Sequence, residues 1–114
     1  MTLRQVQGER IEYTGKLWRW SGATGTGVWF FVTIDGAAGE ALSATALMRR
    51  MEGSARGFGS IKVQVTIGES RFNTSVFPQK GPDVGRCWLL PVKASVRKAE
   101  GIGEGDLVEV GLEF

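Results

Sequence analysis

The seven residues Ile61–Ile67, IKVQVTI, put Ile61, Val63, Val65 and Ile67 on one side of an extended chain and Lys62, Gln64 and Thr66 on the other. A period of two marks a strand with one buried face and fits no helix. The same alternation returns in LVEVGLEF, where Val108, Val110, Leu112 and Phe114 oppose Leu107, Glu109 and Glu113. Each strand exposes an apolar face that must be covered, and the cheapest cover is more sheet.

The stretches before these strands supply it. From Arg10 to Trp20, Ile11, Tyr13 and Leu17 share one phase and Trp18 and Trp20 the other, which predicts a strand with a bulge at Gly15. Ser21–Gly27, SGATGTG, is a turn, and VWFFVTI over Val28–Ile34 is apolar throughout, as in a strand buried on both faces. Asp35 can cap a helix over about residues 36–52, whose Ala41, Ala44, Met48 and Met51 lie on one side. Gly53–Ser60 breaks it. Beyond Ile67, Gly68–Ser70 is a tight turn and RFNTSVF the return arm of a hairpin that Pro78 ends. QKGPDVG is a loop, RCWLLP a second strand apolar on both faces, and VKASVRKAEG a helix with Val92, Val96 and Ala99 inward and Lys93, Arg97 and Glu100 outward.

Residues 10–67 and 70–114 thus share one order: strand, loop, apolar strand with a tryptophan, helix, glycine-rich turn, alternating strand. Trp29 and Trp88 take matching places, as do GFGS and GEGD. An approximate duplication of a ββαβ unit accounts for this, each half covering the other's apolar face. The expected fold is mainly β: a six-stranded double-split β-barrel of two ββαβ halves, capped by two α-helices, in a single domain over residues 1–114.

Composition removes several chemistries. The chain has no histidine, so Ser/His/Asp and Cys/His nucleophile pairs and most catalytic zinc sites are ruled out. One cysteine, Cys87, allows neither an internal disulfide nor a CxxC site. Cys87, beside Trp88 and Leu89 in a strand expected to be buried, reads as an inert core thiol. The first residues, MTLRQVQGERIEY, hold no apolar targeting segment, and no run nears the roughly 18 apolar residues of a membrane span. A cytoplasmic protein without membrane contact is expected. Lys and Arg number 14 against 12 Asp and Glu, too even to indicate a polyanionic partner by charge.

Three motifs invite a ligand. GIGEGD, from Gly101 to Asp106, resembles a dinucleotide loop, but it follows a helix and precedes a strand, the reverse of what puts a helix N-terminus on a pyrophosphate. Gly101 reads instead as a left-handed helix cap with Ile102 packing back. GATGTGV has the glycine spacing of a P-loop, with Val28 and Trp29 where Lys and Ser/Thr belong. Glu109, Glu113, Asp35, Asp83 and Asp106 form no carboxylate pair at catalytic spacing.

Two residue sets remain. Thr74, Ser75 and Lys80 of the hairpin end can converge with Lys93 and Arg97, which share a helix face four residues apart, on an anion; the plainer alternative is a solvated face with Glu100 beside it. Trp18 and Trp20 are the tryptophans placed to stack on a ligand, Trp29 and Trp88 being assigned to the core. Arg49, Arg50, Arg56 and Lys98, with Lys93 and Arg97, would serve an alternative nucleic-acid surface.

The strings LWRWSG, VWFFVTI, GFGSIKVQVTIG, TSVFP and LLPVKASVRKAEGIGEGDLVEVGLEF resemble a bacterial domain-of-unknown-function family of small double-split β-barrels, over about Ile11 to Phe114. That resemblance implies a fold without an agreed activity. LLPVKASVRKAEGIGEGDLVEV is also similar to the swapped-hairpin domain of AbrB-, MazE- and SpoVT-type transcription factors, which implies a DNA-binding homodimer with one such unit per chain. This chain carries two. The function expected is a non-enzymatic binding module for a small molecule, peptide or protein, monomeric or weakly dimeric, with no metal or cofactor; a transcription-factor-like nucleic-acid binder is the alternative.

Overall fold

A computed structural model describes residues 10–22, 27–53, 59–79 and 87–114. The order is β1 (Arg10–Ser21), β2 (Val28–Ile34), α1 (Gly36–Met51), β3 (Ile61–Ile67), β4 (Ser70–Pro78), β5 (Trp88–Pro91), α2 (Ala94–Glu100) and β6 (Leu107–Glu113). The six strands close into an antiparallel barrel in the order β1-β2-β5-β4-β3-β6. The ββαβ order therefore occurs twice along the chain.

The alternating strands fill the interior as their period requires. Val63, Val65, Ile67, Val108, Val110 and Leu112 are all buried, with Leu17, Val32, Ile34, Val76 and Leu90 from the other staves. No buried polar or charged residue occurs among the described residues. At roughly 1.5–3 kcal/mol for each fully buried aliphatic side chain, this interior is the main source of stability.

β1 corrects one expectation. Its pairing with β6 runs in constant register from Arg10↔Glu113 to Lys16↔Leu107, and its pairing with β2 follows from Leu17↔Val32, with no bulge at Gly15. Ile11, Tyr13, Gly15 and Leu17 share the inward phase, and Trp18 and Trp20 simply point out. Gly15 serves a different need: a Cβ there would lie 2.7 Å from Cε2 of Tyr13 and 2.9 Å from Cγ1 of Val32. The ring of Tyr13 and the methyl of Val32 occupy the space a side chain would take.

β2 and β5 are not buried on both faces. A closed barrel has one interior, so Val32, Ile34, Trp88 and Leu90 fill it while alternate residues stay outside. Trp29 is 52% exposed and Trp88 only 3%, so these tryptophans take opposite faces and the assignment of Trp29 to the core fails. The GFGS matched to GEGD begins outside the described residues.

The inward stripe of α1 also differs from expectation. Leu42 is fully buried, with Gly39 beside it and Ala38 and Ala46 packed on the core, whereas Met48 and Met51 are 59% and 77% exposed. The apolar residues of this helix lie on two sides, and the side holding the small residues packs, letting α1 approach the barrel closely. Asp35 stands at the N-cap without making a side-chain cap; its Oδ1 accepts the Tyr13 hydroxyl at 2.5 Å. Trp88 Nε1 donates to Ser43 Oγ at 3.0 Å and joins β5 to α1.

Val92, just before α2, and Val96 on it are buried as expected while Ala99 is exposed. Gly101 ends the helix at φ +67°, with Ile102 N–H donating to Arg97 O and Gly101 N–H to Lys98 O. That is the left-handed cap read from the sequence, and Ile102 packs against the core. Asp106 accepts from Gly103 N–H at 2.8 Å, and Gly105 N–H donates to Leu17 O at 2.8 Å. The glycines of GIGEGD form the turn from α2 into β6, bonded to β1.

Candidate functional site, a cationic cleft beside an aromatic face

Where β5 gives way to α2, the chain builds a cleft of about 350 Å³. Val92 N–H donates to Phe30 O at 2.9 Å, continuing the β2–β5 pairing past Pro91 and setting the start of α2 over β2. Lys93 stands at the N-cap, and its carbonyl accepts from Val96 and Arg97 N–H at 3.1 Å each. Arg97, one turn on, comes over the same opening. Opposite, β4 contributes Phe72, Asn73 and Thr74, and β2 contributes Trp29 and Phe30.

Both cations are held against rings. The Arg97 guanidinium carbon lies 3.7 Å from the centre of Phe30, and Arg97 Nε donates to Val92 O at 3.3 Å. Lys93 Nζ is 5.5 Å from the centre of Phe72. An aromatic face attracts a cation without neutralising it. Among the described residues no acidic side chain lines the cleft and neither cation takes part in a salt bridge. Lysine is also a poor N-cap, since its side chain cannot accept from the first-turn N–H groups, and the first turn of α2 holds no acid.

A second surface adjoins it. Cross-strand register pairs Trp18 with Phe31 and Trp20 with Trp29, and it places Leu89 between Thr33 and Phe77. Their shared phase puts Trp18, Trp20, Trp29, Phe31, Phe77 and Leu89 on one outward patch. The rings of Trp29 and Phe31 are parallel to within 8° at 6.1 Å, and Trp18 Nε1 donates to Thr33 Oγ1 at 2.9 Å. Trp29 belongs to both surfaces, forming a wall of the cleft and the near edge of the patch.

The residues expected to converge do so in part. Thr74, Lys93 and Arg97 meet in the cleft. Ser75 does not line it and pairs with Lys62 across the β3–β4 hairpin. Trp18 and Trp20 lie on the patch. Lys80 and Arg56 fall outside the described residues. Arg49 and Arg50 close α1, which rests on β1, whereas Lys98 is on α2, which rests on β4, a stave three places away around the barrel. Sequence reading missed Trp29, Phe30 and Phe72 as walls. Counting phase across the β1–β2 hairpin from the inward Leu17 would have turned Trp29 out beside Trp20.

Other polar groups are engaged structurally. Glu100 accepts from Ser70 Oγ at 2.6 Å, and Arg10 bridges Glu12 at 3.2 Å and Glu113 at 2.8 Å. Among the described residues no three His, Cys, Asp or Glu gather as metal ligands, and no helix is long and apolar enough to cross a membrane. No curated protein matches the chain. A family model described as a domain of unknown function, DUF1905, covers residues 13–112, and the chain belongs to that family.

Proposed function

We propose that the protein is a non-enzymatic binding module whose cleft takes a small organic anion between Lys93 and Arg97. The observation that carries this reading is the cation pair itself: two positive side chains braced on Phe30 and Phe72, in a cleft lined by no carboxylate among the described residues. Arginine presents a planar fork suited to a carboxylate or phosphate, and here its ring contact and its bond to Val92 O limit how that fork turns. Thr74 and Asn73 add hydrogen-bonding groups on the far wall. The carboxylates of Asp35, Glu100, Asp106 and Glu113 each hold a structural partner, which supports binding without chemistry.

The barrel is read as a double-split one that arose by duplication, because exchanging β1, β2, β3 with β4, β5, β6 reproduces the same cyclic strand order. On this reading one chain completes what swapped-hairpin proteins build from two.

The test is a calorimetric or NMR titration with benzoate and phenyl phosphate against benzyl alcohol. The anions bind, the neutral alcohol does not, and Arg97→Ala and Lys93→Ala each weaken binding at unchanged fold. Equal binding of the alcohol, or indifference to both substitutions, overturns the reading. Salt-sensitive binding of DNA with no binding of the small anions would favour the nucleic-acid alternative.

A further inference from the structure

We infer that the ligand is an elongated aromatic anion, with its charged head in the cleft and its flat body crossing Trp29 onto the outer aromatic patch. This rests on the cleft being an anion site and adds the chemical class of what enters it.

The inference comes from Trp29, which walls both surfaces. The cleft supplies positive charge and hydrogen-bonding groups at one end. The patch beyond offers aromatic and aliphatic surface only, with Trp20, Trp29 and Phe77 left 47%, 52% and 43% exposed. One continuous surface that is cationic at one end and aromatic along its length is complementary to a molecule anionic at one end and aromatic along its length. A compact anion would leave the patch wet, and a neutral aromatic would leave the cations unanswered. The exposed rings are also set as an ordered row: Trp20 lies directly across from Trp29, which lies parallel to Phe31. Such surfaces favour stacking by flat groups over contact with flexible chains.

The probes are benzoate and biphenyl-4-carboxylate, titrated into the wild type and into Trp20→Ala and Phe77→Ala, both exposed positions whose loss leaves the barrel interior intact. Biphenyl-4-carboxylate is expected to bind the wild type about tenfold more tightly than benzoate, a gain within reach of one or two aromatic contacts. Either substitution removes most of that gain and leaves benzoate affinity unchanged. Equal affinity of the two acids, or a biphenyl gain that survives both substitutions, overturns the elongated ligand while the anion site stands. If neither acid binds the wild type, or both bind and Arg97→Ala changes neither affinity, the anion site falls, and the inference with it.

Discussion

The Arg97 guanidinium of α2 lies over the ring of Phe30 in β2, its carbon 3.7 Å from the ring centre. Both residues line the opening, so the contact couples the start of α2 to a wall of the barrel. A double-mutant cycle of Phe30→Leu and Arg97→Met, read by denaturant midpoints, is expected to give a coupling of about 0.5–2 kcal/mol. Phe30→Leu alone is also expected to weaken anion binding, because the guanidinium loses its support while keeping its charge.

Gly15 has no room for a methyl group. Its neighbours are the Tyr13 ring and a methyl of the fully buried Val32, and neither can retreat without disturbing the core. Gly15→Ala is expected to destabilise the fold by about 1–3 kcal/mol in equilibrium unfolding. Gly103→Ala, where a Cβ would meet nothing within 4 Å, is the matched control and is expected to change little.

Tyr13 is the only tyrosine, so absorbance near the phenolate band follows it alone. Burial, then the hydrogen bond to Asp35 and that residue's negative charge, raises its pKa above the ordinary tyrosine value. The folded protein should titrate above about pH 10 and the unfolded chain near it. A raised folded pKa means the contribution to stability is complete below the unfolded pKa and disappears as pH rises through the folded one. Asp35→Asn is expected to bring the folded midpoint down.

The Trp88 indole reaches Ser43 from the barrel interior, joining β5 to α1. Ser43→Ala leaves that N–H without its acceptor and is expected to cost about 1–3 kcal/mol. Hydrogen exchange across α1 should rise more than exchange in β3, which bonds to β4 and β6 independently of the helix.

Much of the fold was legible because barrel strands obey a period of two and their turns use glycine for backbone reasons. The alternation in Ile61–Ile67 and the cap at Gly101 both follow from local rules. Two of the differences share a cause, because an apolar residue need not be a buried one. Trp29 and Met48 are apolar and exposed, and hairpin register in the first case and helix rotation in the second decide that. The site was half legible. Helical spacing brought Lys93 and Arg97 together, but that Phe30 and Phe72 lie beneath them follows from β2 and β4 flanking β5, a neighbourhood no local pattern encodes.

The seam between β1 and β6 sets the order in which the molecule can be made. Arg10 and Glu113, 103 positions apart, are bonded neighbours, and β6 is the stave that lies between β1 and β3. A chain emerging from the ribosome can form the β1–β2 and β3–β4 hairpins early, but both sheets keep raw edges until Leu107–Glu113 arrives. Closure is therefore a late, long-range event, slow by the entropy of so wide a loop, and the nascent chain passes through a stage at which two open edges could recruit a neighbour instead.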